Sequence, residues 1–268
     1  DGIIATDIPT MVHCVFPVSA RHVHGAAYAY VSDWLSSMCS GGLLPSVPHV
    51  VTIGKSDETM RDSLGIPENE RVFGCYGGRD SFDIDFVKSL AIPQVLEREP
   101  DVWFVFMNIR PFVVHPRVIF LPGSVDLEEK TRFINTCDAM LHGRKRGETF
   151  GIAVGEFSLR DKPVLVYGRS RERAHLEALG ETAIRYNDAQ QHIQLIRNFD
   201  GSAPSAKPIY EASFSATEVS KLFGTNLVEP ANQSGIDGAR QRLGFHQYDP
   251  FLLAKPRWNR FTSKYLGW

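Results

Sequence analysis

Two glutamates, Glu148 and Glu156, stand eight positions apart in the segment His142-Gly-Arg-Lys-Arg-Gly-Glu-Thr-Phe-Gly-Ile-Ala-Val-Gly-Glu156. The segment follows a short apolar run and opens a helical pattern, read as a helix from Thr149 to Leu159. Gly147 permits a sharp turn into that helix. The backbone amides of Thr149, Phe150 and Gly151 then lack helical partners, and together with the helix dipole they favour an anion such as a phosphate. On a continuous helix the two carboxylates are about 12 Å apart. They cannot share one sugar ring, but they can grip two parts of an extended ligand, such as the hexose and the ribose of a nucleotide sugar. A carboxylate suits a sugar because it accepts two hydroxyl hydrogen bonds at once. The plain alternative is that Glu148 complements the helix dipole and Glu156 faces solvent. Against it, Glu156 lies among Ala153, Val154 and Phe157, and a buried carboxylate requires a partner.

The elements that must position these residues lie between positions 71 and 199. Arg71 to Gly78 reads as a buried strand ending in a tight turn, and Phe82 to Glu99 as a helix. Val102 to Met107 and Arg117 to Leu121 read as strands, and Leu127 to Cys137 as a helix with Asp126 as N-cap. A strand at Ala139 to His142 precedes the glutamate segment. After it come strands at Pro163 to Tyr167 and Ala183 to Tyr186, and helices at Ala174 to Leu179 and Ala189 to Phe199. Short apolar strands alternating with helices predict a doubly wound parallel α/β sheet covered on both faces. In such sheets ligands bind beyond the carboxyl ends of the strands. The flanks are weaker: a strand at Thr10 to Phe16, a strand and helical turn at Ala26 to Leu35, a linker marked by Gly41, Gly42, Pro45 and Pro48, and a helix at Ala216 to Phe223 with Ser215 as N-cap.

Composition narrows the function classes. Lys and Arg number 29 against 31 Asp and Glu, so the chain is not a strongly basic nucleic-acid binder. No apolar run reaches the ~20 residues that span a bilayer. The cysteines at 14, 39, 75 and 137 form no CxxC pair; they read as reduced thiols of a cytoplasmic protein. His13, His22 and His24 lack a recognisable ligand spacing, and no metal is expected.

Glu148-Thr-Phe-Gly-Ile-Ala-Val-Gly-Glu156 resembles the E-x7-E signature of the retaining glycosyltransferases of family 4, which have the GT-B fold. The similarity extends to the helix, Asp138-Ala139 step and strand of Asp126 to His142, and to Lys162-Pro-Val-Leu-Val166 after the signature. It covers residues 71–199. The resemblance implies a Rossmann-like GT-B C-terminal domain with an incomplete second α/β domain at the N-terminus. Residues 1–53 are then a remnant of the acceptor-side domain and linker, 54–200 the nucleotide-sugar domain, and 201–268 a helix and tail packing back on the body. It implies a metal-independent, hexosyltransferase-type transfer of a sugar from a nucleotide-sugar donor such as a UDP- or GDP-sugar, with retention at the anomeric carbon. No cofactor beyond the donor substrate is expected. The acceptor is a glycan, lipid or protein that the sequence does not name, and a homo-oligomer is one way to replace missing first-domain surface.

By the same resemblance Glu156 binds the ribose, Glu148 contacts the donor sugar, and the backbone around Thr149, Phe150 and Gly151 meets the sugar and distal phosphate. Gly78 and Arg79 lie in the turn after the first strand, where the family places diphosphate-binding groups. The family's second base there is replaced by Phe82 or Asp83, which leaves that charge to Arg144 or Lys145; a solvated loop is the alternative for Arg144-Lys145-Arg146. The family often has a histidine near the cleft. His24, followed by Gly25, is the candidate here and His13 the second. Two other readings stand beside the enzyme: a nucleotide-sugar-binding half-domain that is inactive alone or needs a partner chain, and a phosphorylase-like or epimerase-like relative.

Overall fold

The structure is a computed structural model, and it describes residues 9–17 and 25–233. The chain divides into two units: residues 1–49 with 216–268, and residues 50–215. His22, His24 and the aromatic and basic residues from Trp258 to Trp268 lie outside the described residues.

In the smaller unit, β1 (Met11–Cys14) pairs in parallel with β2 (Ala27–Tyr30). α1 (Asp33–Ser40) follows, capped by the Ser32 side chain, which accepts from the Leu35 amide, and closed by Gly41 in the left-handed region. Both strands and the short helix fall where the apolar pattern of the sequence puts them.

The larger unit holds the main core. α2 (Arg61–Leu64) precedes β3 (Arg71–Tyr76). A π turn (Val87–Ala91) then runs into α3 (Ile92–Arg98). The π turn answers a problem in the sequence. Pro93 has no amide to donate inside this helix and its ring crowds the preceding turn; widening that turn accommodates both. β4 (Val102–Met107), β5 (Val118–Leu121), α4 (Leu127–Thr136) and β6 (Ala139–His142) follow. The Asp126 carboxylate caps α4, accepting from the amides of Glu128 and Glu129. Then come β7 (Gly147–Glu148), α5 (Ile152–Leu159), β8 (Val164–Tyr167) and β9 (Glu172–Arg173). α6 (Ala174–Leu179), β10 (Ile184–Tyr186), α7 (Ala189–Arg197) and α8 (Lys207–Ser213) complete the unit. α8 begins at a Lys-Pro pair and belongs to this unit.

Six strands form one parallel sheet in the order β10-β8-β6-β3-β4-β5. This is the doubly wound arrangement that the strand–helix alternation predicts. The strands are buried along most of their length; Val72, Phe73, Phe104, Phe106 and Leu141 have no exposed surface. The order places a topological switch point between β3 and β6, where successive connections leave in opposite directions. A crevice at the carboxyl ends of those two strands is the expected ligand position.

The smaller unit resumes with α9 (Ala216–Phe223), which continues through a π turn (Gly224–Val228). Val219, Leu227 and Ala231 pack there with Ala27, Ala29 and Val47. No helix among the described residues is long and apolar enough to cross a membrane. The four cysteines form no disulfide.

Candidate functional site

Two loops leave the switch point: residues 77–84 after β3 and residues 143–151 after β6. They are tied to each other. The Asp83 amide donates to the Gly143 carbonyl (2.9 Å), and the Asp83 carboxylate accepts from the Lys145 amide (2.6 Å). Phe82 is buried, stacked on Phe112 and edge-on to Phe106. So the two residues that stand in place of a second base are structural, one an apolar anchor and the other a clasp. Gly78 and Arg79 are exposed, and the Arg79 side chain makes no hydrogen bond or ion pair among the described residues. Asn108, whose backbone takes the left-handed conformation, donates its side-chain amide to the Gly77 carbonyl (2.7 Å) and so shapes the first loop as a turn residue.

The second loop is braced more heavily. Tyr186 donates its hydroxyl to the His142 carbonyl (2.8 Å). Arg146 pairs with the nearly buried Glu172 (2.6 Å). Residues 147 and 148 pair in parallel with 172 and 173. Gly147 has φ +80° and lies so near the Glu172 carbonyl that a Cβ would overlap it; only glycine fits both demands. This small bridge changes one expectation. Glu148 is in an extended segment, and the helix begins at Ile152 after Gly151 in a left-handed conformation (φ +98°). The donors of the first turn are therefore those of Ile152 to Val154 rather than Thr149 to Gly151, and no side chain caps them. The 12 Å helical separation does not apply. Phe150 contributes its ring to the interior, edge-on to Phe214.

Both oxygens of Glu148 are engaged. Arg144 donates to one (2.7 Å) and His142 lies 3.4 Å from the other. Burial works to raise the Glu148 carboxyl, but the hydrogen bonds and charge interactions with His142 and Arg144 outweigh it and hold the group below the usual carboxylate range. Arg144 thus serves as the partner of Glu148 in this structure.

Glu156 is on α5, its side chain only 5% exposed, and its Oε1 accepts from Lys130 Nζ at 2.9 Å. Its Oε2 is buried with no hydrogen-bond partner among the described residues. Burial pushes the Glu156 carboxyl up to about 7 and the Lys130 ammonium down; the ion pair opposes both shifts. Lys130 also lies over the Tyr76 ring, 5.7 Å from its centroid. Sequence reasoning missed Lys130. The signal was present: it precedes Phe133 and Ile134 by three and four positions, the inward face of α4. A lysine on an apolar stripe needs a carboxylate, and Glu156 needed a cation.

His142 and His175 stack with ring centroids 4.6 Å apart. His175 and His192 are fully buried, and none of their ring nitrogens has a hydrogen-bond partner among the described residues. Burial, reinforced at His175 by His142, Arg173 and Arg144, drives His175 down to about 2; burial alone drives His192 to about 3. A neutral buried histidine binds fewer protons than its unfolded counterpart below the usual histidine value of about 6.5, so stability falls with falling pH. Glu156, raised in the folded state, acts in the opposite sense between its ordinary value of 4.5 and about 7. Two histidines against one glutamate leave a net loss of about 1 kcal/mol per pH unit between about 6.5 and 4.5. Denaturant unfolding at pH 7.5, 6.0 and 5.0 should show it, and His192→Phe should flatten the slope. A flat wild-type profile is the result that would contradict neutral burial.

In the smaller unit His13 donates its Nε2–H to the Val47 carbonyl (2.6 Å) and meets His49 edge-on, which accounts for its ring by local packing. Among the described residues no group of three His, Cys, Asp or Glu gathers to hold a metal.

The six-stranded doubly wound parallel sheet matches the Rossmann-like folds of GT-B glycosyltransferases. No family model and no curated protein matches the sequence. Solved structures do. HepE from Anabaena, crystallised with UDP-glucose, matches with a TM-score of 0.62 at 16% identity, over 81% of this chain and 71% of HepE. A glycosyltransferase from Rickettsia africae matches at 0.58 and 14% identity, over 84% of this chain and 71% of the other. TarM matches at 0.54 and 11% identity, with 78% of this chain covering 44% of TarM. At these identities the likeness establishes the fold.

Proposed function

We propose that this chain binds a nucleotide-sugar donor and transfers its sugar to an acceptor with retention at the anomeric carbon. The observation that carries the reading is the pair of carboxylates, Glu148 and Glu156, flanking the uncapped start of α5 at the switch point. Similar folds have been crystallised with UDP and with UDP-glucose. In this reading Glu156 accepts from the ribose hydroxyls and Glu148 from hydroxyls of the donor sugar. The first-turn amides of α5 and the positive end of its dipole face the diphosphate, and Arg79, exposed in the first loop, adds charge. Departure of the diphosphate leaves an oxocarbenium-like sugar, and stabilising that leaving group is the chemistry the site supplies. No metal is part of the proposal, because the dipole and the guanidinium groups offset the developing charge. His24 stays a candidate for the sugar side.

A second reading, donor binding without turnover by this chain alone, is favoured by the smaller unit, whose sheet has two strands among the described residues. Release of nucleoside diphosphate from UDP-, GDP- and ADP-sugars, with and without panels of glycan, lipid and protein acceptors, separates the two. Acceptor-dependent release supports transfer; tight binding with no release supports the binding module. Glu148→Ala should lower transfer by about a hundredfold, in line with the loss of a group that meets the reacting sugar, while nucleotide affinity changes by less than about threefold. Wild-type turnover in that variant would remove Glu148 from the site. The anomeric configuration of the product, read by NMR, tests retention.

A further inference from the structure

The mechanism just proposed uses Glu156 but gives no task to the cation beside it. Lys130 comes from a different element, α4, and reaches Glu156 across 26 positions of sequence. The Lys130 side chain is 16% exposed and that of Glu156 5%. α4 itself is firmly placed. Asp126 caps its start, and the Glu128 carboxylate accepts from the amides of Lys55 and Ser56, clamping the segment before α2. Thr131 accepts from the Gly54 amide (2.7 Å). The cation is therefore delivered by a rigid strut.

An ion pair this dry is a poor source of stability, since the cost of desolvating both charges rivals their attraction. The unusual feature is its incompleteness. One oxygen of Glu156 is taken by Lys130, and the other is buried with no partner among the described residues. An orphaned carboxylate oxygen is costly, and a group left in that state in a folded protein calls for a specific cause, such as a functional role. Lys130 fixes the carboxylate plane from one side; the Tyr76 ring, with the ammonium above its face, limits where the ammonium can go.

We propose that Lys130 is a positioning residue for nucleotide recognition: by holding Oε1 of Glu156 it fixes the carboxyl group in place and leaves Oε2 to accept from a ribose hydroxyl, so that the site reads an intact ribose. The proposal rests on the assignment of Glu156 to the ribose. It defines the ligand class further, as a ribonucleotide rather than a deoxyribonucleotide conjugate.

The test is titration calorimetry of the full chain with UDP, GDP and ADP and with their 2′-deoxy and 3′-deoxy forms. Wild type, Lys130→Gln, Lys130→Arg and Glu156→Gln are compared, with circular dichroism melts confirming that each is folded. For the nucleotide that binds, wild type should prefer the ribo form by about tenfold or more, the scale of one charge-assisted hydrogen bond. Lys130→Gln should weaken the ribo form by a similar factor and bring the ribo-to-deoxy ratio near one. Lys130→Arg, which restores the charge, should recover most of the preference. A purely structural role for Lys130 predicts something else: a lower melting temperature with the ribo-to-deoxy ratio intact, and that result overturns the proposal. Binding as tight as or tighter than wild type in Lys130→Gln also overturns it, since Lys130 would then be a plug rather than a support. If Glu156→Gln retains the wild-type ratio, or no nucleotide binds wild type, the ribose assignment itself has failed and the proposal falls with it.

Discussion

Glu156→Ala is expected to abolish the thermal stabilisation that a nucleoside diphosphate gives the wild-type protein. A ligand that binds only the folded state raises apparent stability by RT ln(1 + [L]/Kd), about 2.7 kcal/mol at a hundredfold excess over Kd. Removing the carboxylate takes away the ribose acceptor and leaves the Lys130 ammonium, 2.9 Å from it in the wild type, without a counter-ion. A stranded, partly buried cation next to a diphosphate site is not a neutral change. It repels nothing anionic, but it no longer holds the ribose, and its side chain is free to seek solvent past Tyr76. An affinity loss of about a hundredfold is the expected scale for removing a buried charged partner of a ligand. Unliganded stability should fall as well, by up to about 3 kcal/mol, because removing one partner of a buried pair strands the other; the ligand-induced shift is therefore read against each protein's own unliganded melting temperature. A thermal-shift panel of UDP, GDP, ADP and their glucose and mannose conjugates on wild type and variant checks both parts. An equal shift in the two proteins would contradict the role of Glu156.

Gly147→Ala should be the most damaging single methyl in the second loop. Its φ of +80° costs an alanine about 1 kcal/mol, and its Cβ would overlap a backbone carbonyl that cannot swing away as a side chain can. Relief requires breaking the bridge between residues 147–148 and 172–173, and with it the geometry of the Arg146–Glu172 pair. A loss of about 2–4 kcal/mol follows from backbone strain plus the steric overlap. Nucleotide binding should weaken together with stability, because the same loop runs on to Gly151 and sets the first-turn amides of α5 that face the diphosphate in the proposed site. Denaturant midpoints and nucleotide titration on the same samples measure both. Gly78→Ala is the control: a Cβ there meets nothing within 4 Å, so it should leave stability unchanged. A Gly147→Ala protein as stable as wild type would mean that the bridge does not constrain the loop.

Much of the fold could be read directly from the chain. Short apolar runs such as Val102–Met107 are too short for helices and too apolar for one-faced strands, and they form the central strands of a parallel sheet. Asp126 announced the start of α4 because a carboxylate before a polar-apolar repeat has a backbone task. The misses have local causes. The start of α5 lies three residues later than the sequence suggests, because Thr149 and Phe150 carry no intrinsic signal against a helix. What holds the chain extended just before them is the pairing of residues 147 and 148 with 172 and 173, a contact that no local pattern reveals. α8 was hidden by its Gly, Ser and Pro neighbours, although Pro208 at a first-turn position is compatible with a helix start. At the site, the two glutamates were visible as residues, but their electrostatic states were not. Glu148 is held ionised by His142 and Arg144, four to six positions away, whereas the counter-ion of Glu156 comes from another helix. Phe82 and Asp83, which break the expected basic pattern, proved to be the anchor and clasp of the first loop.

The central claim is that the carboxyl ends of β3 and β6 bind a nucleoside diphosphate. Hydrogen exchange of the full chain with and without UDP, GDP or ADP tests it most directly, because it localises the ligand. The account predicts that one of the three slows exchange in peptides covering residues 76–84 and 143–156, and that this protection is absent in Glu156→Ala. The larger unit also has a cavity of about 360 Å³ lined by Asp57, Thr59, Asn135, Arg160, Lys162 and Lys207, at the opposite ends of the strands. Protection confined to that region, or protection at residues 143–156 that survives in Glu156→Ala, would contradict the account.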